Sequence, residues 1–225
     1  MNKHYNNQIT LSEEDIQEAM KEMGTYIDIS ETDLKNLFEI AFKHIHKRIN
    51  FIHRKHIPLS PPGVGLKEIA WSGLGSFLGI GLCAFFSYKF LEPFSLTLLI
   101  GSFGASAVLI YGAIKSPLAQ PRNLIGGHLI SALIGVICFQ IFGYMIWIAA
   151  ALSVSIAIMA MLATKTLHPP GGATALIAVI GGTNIHNLGY LYILFPVASG
   201  AVILLLVALA INNLAKGRKY PEYWF

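Results

Sequence analysis

Residues 124–163 read LIGGHLISALIGVICFQIFGYMIWIAAALSVSIAIMAMLA, and none of them is a lysine, arginine, aspartate or glutamate. A run of about 20 apolar residues is long enough to cross a bilayer as a helix, so this stretch has room for two crossings. Gly143 separates a segment over 124–142 from a second segment over 144–163. The stretch predicts an all-α fold, a polytopic bundle of membrane helices.

The distribution of charged residues supports this prediction. Charged residues make up 12% of the 225 residues, against about 25% in an ordinary soluble domain. Residues 1–68 hold 10 of the 12 acids, and after Glu92 the next acid is Glu222. We therefore predict a cytosolic helical region with a linker over 1–66, a transmembrane domain over 67–215 and a cytosolic tail over 216–225.

Four more apolar segments complete the predicted bundle, and they run over about 69–88, 94–114, 169–182 and 188–211. Lysines and arginines fall in alternate loops, which predicts about six crossings with both termini in the cytoplasm. The segment over 169–182 is only about 21 Å long as a helix, which is short for a hydrocarbon core of about 30 Å. We expect it to be a broken or half-helix, and whether it crosses or re-enters the membrane stays open.

The N-terminal region is predicted to contain two helices that begin near Ser12 and Ser30, because acids follow each serine in the first turn. The second helix has an apolar face and an opposite basic face. It lies on the inner leaflet or packs on its neighbour or on a second subunit, and the sequence leaves these alternatives open. We interpret its histidines as a solvated row rather than a metal site: His44, His46, His53 and His56.

Residues 165–174 read KTLHPPGGAT and contain the candidate binding site. The prolines at 169–170 suit a helix N-terminus, where a missing N–H costs nothing. The glycines at 171–172 allow a ligand to approach the backbone, and free N–H groups together with the helix dipole favour a small anion. His168 can donate a hydrogen bond or change its charge near neutral pH. The same pattern is also typical of a sharp turn between two helices.

Residues from other segments extend the predicted site. Every fixed charge across residues 93–215 is positive, which favours an anionic ligand over a cation, and Arg122 is expected to attract that anion from a distance. For Ser102, Ser106 and His128, a role in helix packing is as good an interpretation as a role in the binding site, or a better one. The full predicted substrate-binding set is His168, Pro169, Pro170, Gly171, Gly172, Ala173, Thr174, Arg122, Asn123, Ser102, Ser106 and His128.

Several classes of function are disfavoured. We predict no enzyme, because no nucleophile has an evident base beside it. We also predict no cofactor, no metal site and no nucleic-acid partner, and we interpret Cys83 and Cys138 as small core residues. The small residues of the apolar segments suit close helix packing, so we expect a homo-oligomer in the lipid bilayer.

Three ordered blocks and a tail resemble the HPP family of integral membrane proteins. They are GSFGAS at 101–106, SPLAQPRN at 116–123, LHPPGGATAL at 167–176 and YPEYW at 220–224, so the resemblance covers about 67–225. It implies a multi-pass protein of a bacterial inner membrane or a plastid envelope, and we expect the bacterial inner (cytoplasmic) membrane. It also implies nitrite transport, which has been proposed for photosynthetic members.

The leading hypothesis from the sequence is therefore transport of a small monovalent anion. The residues support only the small anion, and the resemblance supplies nitrite. The alternative is a membrane-anchored sensor or scaffold that acts through the helices of residues 1–66. Channel or carrier, proton coupling, direction and oligomer order stay open.

Overall fold

A computed structural model describes residues 31–54, 63–91 and 98–224 of the chain. Several predictions from the sequence lie outside the described part of the chain. They are the helix that begins near Ser12, the start of the second helix at Ser30, and the row of histidines at His56 and at the side chains of His46 and His53. The chain divides into two compact units, Met1–Gly63 and Val64–Phe225. In the first unit, helix α1 runs over Glu31–Arg54, within the region where the second N-terminal helix is predicted.

The second unit is helical throughout its regular described elements, which confirms the predicted all-α fold. Helix α2 continues into a π-helical turn, α3 does the same, and α8 follows a kinked π-helical turn over Ile193–Ala198. The helices are α2 Leu66–Phe86, α3 Gly101–Ala107, α4 Pro121–Phe142, α5 Ile146–Ala163, α6 Pro169–Ile180, α7 Thr183–His186 and α8 Ser199–Leu214.

Four helical stretches are long and apolar enough to cross a membrane: Leu66–Phe90, Pro121–Phe142, Ile146–Ala163 and Ile193–Leu214. Two shorter apolar stretches, Gly101–Gly112 and Pro169–Ile180, lie between them in the chain. The short helix at 169–180 was predicted. Within the described residues 98–114, the helix runs only from 101 to 112, which is shorter than the single apolar segment predicted over 94–114.

The backbone before α3 explains this shorter helix. Ile100 has an extended conformation, with φ −113° and ψ 149°, so the helix begins only at Gly101. The N–H of Leu98 donates to the Ser87 hydroxyl at 3.0 Å instead of to a helical carbonyl. Hydrophobicity alone does not distinguish these non-helical residues before α3 from the helix, because apolar side chains are buried in both.

Close packing holds the bundle together. Helices α4, α5 and α6 pack against one another, α2 packs against α8, and α3 contacts both α6 and α2. At Gly135 of α4, an added Cβ atom would lie 2.5 Å from the carbonyl oxygen of Ala175 in α6. Only glycine permits this approach of two helix backbones, which is typical of membrane helix interfaces.

Hydrogen bonds bring the basic loops to one end of the bundle. Arg122 at the start of α4 donates to the carbonyl of Thr164 after α5 at 2.7 Å. The Tyr220 hydroxyl in the tail donates to the carbonyl of Ala119 at 2.7 Å, and burial raises the pKa of that phenol, which keeps it protonated. We call this the basic end, and it carries Lys115, Arg122, Lys165, Lys216, Arg218 and Lys219. Six crossings require these basic loops to lie at the same end of the bundle. That this end faces the cytoplasm stays a prediction.

Candidate functional site

Five polar side chains meet in the interior of the second unit, and we call them the polar chain. Ser106, His128, His168 and Thr174 are 0% exposed, and Ser102 is 1% exposed. All five belong to the site predicted from sequence. They come from α3, from α4, and from the start of α6 with the residue before it.

Ser106 is the centre of the polar chain. Its Oγ atom lies 2.7 Å from Nε2 of His128 and 2.9 Å from Nε2 of His168. The two imidazole rings are 5.0 Å apart at an interplanar angle of 60°, and the Phe103 ring meets His128 edge-on at 5.4 Å. One hydroxyl thus connects two histidines that are 40 residues apart in the chain.

The outer nitrogens of the two histidines also have partners. Nδ1 of His128 lies 2.7 Å from the Thr174 hydroxyl, which donates to Ser102 Oγ at 2.8 Å. Nδ1 of His168 lies 2.8 Å from the carbonyl oxygen of Leu118, to which it donates. The polar chain is therefore a continuous run of hydrogen bonds, and its satisfied atoms offset the cost of their burial.

Local sequence rules place these side chains. Ser102 and Ser106 are four residues apart, so they lie on the same face of α3. His168 has φ −137° and ψ 104°, the extended conformation that a following proline favours, and α6 begins at the next residue. Leu118 lies in a short 3₁₀ turn, Pro117–Ala119, which the Ser116 hydroxyl caps by accepting from the Leu118 N–H at 3.2 Å.

The motif glycines differ in their surroundings. The N–H of Gly171 donates to the carbonyl of His168 at 2.8 Å, and the two preceding prolines have no N–H. A Cβ atom on Gly171 would lie 2.7 Å from Ser131 Oγ and 2.9 Å from the carbonyl of Gly127. At Gly172 a Cβ atom would meet only Val154, at 3.8 Å. In this structure Gly171 serves helix packing, while Gly172, like Ala173, is half-buried.

Arg122 and Asn123 hold the loop that precedes α6. Arg122 bonds to Thr164, as described above, and Nδ2 of Asn123 donates to the carbonyl of Leu167 at 2.9 Å. Asn123 is buried and Arg122 is half-buried at the basic end. Neither contributes a hydrogen bond to the polar chain, although both fix the backbone on which His168 sits.

Two contributors were missed by sequence reasoning. The Leu118 carbonyl is a backbone group, and no residue type signals its role. Tyr192 is 0% exposed, and its hydroxyl donates to the carbonyl of Thr174 at 3.0 Å. Its position just before the kinked turn at Ile193–Ala198 is the signal that could have found it, since polar groups near a helix break often serve a site.

The family model for the HPP transmembrane region matches residues 61–221. The chain belongs to the HPP family. The match includes every residue of the polar chain, and it confirms the membership that the three blocks and the tail predict.

Two transmembrane proteins of Dictyostelium discoideum are similar to this HPP protein. One is 50% identical over 169 residues, which cover 74% of this chain and 54% of the relative. The other is 49% identical over 168 residues, which cover 73% of this chain and 59% of the relative. The chain thus spans somewhat more than half the length of these curated relatives. Their names support a membrane protein and leave the bacterial inner membrane a prediction. No solved structure matches the chain significantly.

Proposed function

We propose that this HPP protein transports a small monovalent anion across the membrane, with nitrite as the favoured substrate. The observation that carries the proposal is the polar chain, in which two histidines and three hydroxyls lie wholly buried within a bundle of apolar helices. Polar and ionisable groups inside a membrane are costly, and they commonly mark a substrate or proton path.

The position of the polar chain supports a transport path. It joins the two short helical stretches, Gly101–Gly112 and Pro169–Ile180, each about 18 Å long against a hydrocarbon core of about 30 Å. Discontinuous helices in secondary transporters place their binding sites where the helix is interrupted. If no polar side chains lay at these two short helices, they would favour a bundle that serves only as a membrane anchor.

The charges favour an anion as the substrate. The described residues of the second unit hold eight lysines and arginines, whereas Glu68 and Glu222 are the acids among them. Glu68 pairs with Arg218 at 3.4 Å. Cation paths through membranes normally contain an acid, and the sequence has none between residues 93 and 221.

Flux into liposomes tests this function. We expect saturable nitrite uptake by the reconstituted protein, above that of protein-free liposomes, at a pH where little nitrous acid is present to diffuse through the lipid. Nitrate, formate, chloride and bicarbonate should be compared in the same preparation, because the residues specify only a small anion. Folded protein that moves none of these anions would remove the transport proposal.

A sensor or scaffold is the second candidate, and helix α1 favours it. Leu37, Ile40 and Ile45 of α1 are 57%, 61% and 56% exposed, and such apolar side chains suit a partner or a membrane surface. Deletion of residues 1–55 separates the two functions. A transporter should retain its basal nitrite flux after this deletion, whereas a scaffold should lose partner binding in the cell without any flux to retain.

A further inference from the structure

The hydrogen bonds of the polar chain determine where its protons lie. The Leu118 carbonyl can only accept, so Nδ1 of His168 carries a proton. If His168 is neutral, its Nε2 must accept, and the donor is Ser106. The Ser106 hydroxyl has a single proton, so it then accepts from Nε2 of His128. A neutral His128 in turn has an unprotonated Nδ1, to which Thr174 must donate.

The contact between Thr174 and Ser102 changes this arrangement. The Thr174 and Ser102 hydroxyl oxygens lie 2.8 Å apart, and when Thr174 donates its single proton to Ser102 it cannot also donate to His128. Nδ1 of His128 must then donate to Thr174, and the polar chain needs one proton more than its neutral side chains contain. The neutral form makes the same hydrogen bonds once the Thr174 hydroxyl turns to His128 and Ser102 donates to Thr174.

The polar chain can therefore gain or lose one proton and keep the hydrogen bonds between its side chains in both forms. The longer contacts from Ser106 to the Ser102 carbonyl and from Thr174 to the Pro170 carbonyl, both 3.3 Å, compete for the same hydroxyl protons. In the protonated form the extra proton lies on His128 or on His168. Ser106 connects these two positions, because its Oγ lies 2.7 Å and 2.9 Å from the two Nε2 atoms and can accept a proton from one and donate to the other. Such a change needs only hydroxyl rotation and no repacking of helices.

An extra proton in this place has no counter-ion among the described groups around it. Helices α5 and α6 contain no titratable residue. The titratable and charged groups on α4, on the adjoining loops and beside α3 are Tyr111, Lys115, Arg122, Cys138, Lys165 and Tyr192, and none of them is an acid. Helix α2 and the tail add Lys67, Glu68, Cys83, Arg218, Tyr220 and Glu222; Glu68 pairs with Arg218 at 3.4 Å, and no hydrogen bond joins either of these described acids to the polar chain. A buried cation without a counter-charge is strongly disfavoured in a membrane protein. A bound anion would supply the missing charge.

We propose that the polar chain takes up a proton together with the transported anion, so that the two cross the membrane as a neutral pair. This inference rests on the proposed anion transport, and it adds the coupling ion and a role for Ser106 as the link between two imidazoles. Pairing removes the net charge that would otherwise pass through the apolar bundle, which lowers the electrostatic cost of the crossing.

Proton uptake linked to anion binding tests the coupling without any need for flux. Purified protein in weakly buffered detergent solution is mixed with sodium nitrite, a pH indicator reports proton uptake, and equilibrium dialysis measures bound nitrite. We expect about one proton per bound nitrite for the wild-type protein, the stoichiometry of one shared site. Ser106→Ala should reduce that ratio at least about fivefold, because it removes the hydroxyl that accepts a hydrogen bond from a protonated Nε2 atom and so makes the protonated form less stable.

Ser153→Ala is the matched control. Ser153 is also 0% exposed, but its hydroxyl donates within its own helix, to the carbonyl of Ala150 at 2.9 Å. This variant should keep the wild-type ratio, and Ser106→Thr should keep it as well, because it retains a hydroxyl. Nitrite binding by the wild-type protein without proton uptake overturns the coupling and leaves anion transport standing. Absence of saturable nitrite binding overturns both, and an unchanged ratio in Ser106→Ala overturns the role of Ser106.

Discussion

His168→Ala should reduce saturable nitrite flux at least about tenfold, the factor that corresponds to about 1.4 kcal/mol of lost interaction. Alanine removes the imidazole that donates to Leu118 and contacts Ser106, in a site with 0% exposure. Each buried group left without a partner costs about 1–3 kcal/mol, so the variant should also unfold at a lower temperature. Initial flux into liposomes and thermal unfolding in detergent measure the two effects separately.

Two further variants distinguish lost function from lost folding. His168→Asn keeps an amide that can donate to Leu118 but removes the titratable imidazole, so it should fold better than alanine and still lack flux. His186→Ala is the control, because His186 bonds to the carbonyl of Val179 and stacks on Phe139, away from the polar chain. Full flux in folded His168→Ala and His168→Asn would exclude this histidine from the transport mechanism.

Gly171→Ala should destabilise the protein strongly, whereas Gly172→Ala should leave it close to the wild type. The added methyl at 171 would lie 2.9 Å from the carbonyl of Gly127 in α4, a backbone atom that cannot move aside without shifting a helix. Overpacking of this kind costs about 1–3 kcal/mol. At 172 the methyl would make an ordinary contact with Val154 at 3.8 Å. The yield of monodisperse protein and its melting temperature measure the difference.

The same pair of variants also tests the backbone anion site predicted from sequence. If an anion approaches the backbone at Gly172, Gly172→Ala should fold normally and yet bind nitrite several-fold more weakly. If the glycines serve only helix packing, Gly172→Ala should keep both its stability and its nitrite flux. Equal melting temperatures for Gly171→Ala and the wild type would contradict the close contact between α4 and α6.

The sequence predicts the membrane bundle well for a physical reason. Transfer of a helix into lipid depends on the summed hydrophobicity of consecutive residues, which the chain displays directly, as over 124–163. The prolines at 169–170 likewise signal a helix start through their own backbone chemistry, and α6 does begin at Pro169. The start of the short helix at Gly101 was missed, because the extended residue before it, Ile100, is as apolar as the helix itself.

The sequence by itself determined the fold class, the HPP family and the residue types from which a site could be built. The tertiary structure alone decided which of them meet. Ser106 and His168 are 62 residues apart, and Leu118 and His168 are 50 residues apart. Their contacts depend on how α3, α4 and α6 pack together, and no local sequence pattern predicts that packing. The hydrogen-bond partners of each group, and with them the capacity to hold a proton, follow only from those contacts, because a hydroxyl or an imidazole donates or accepts according to its neighbours.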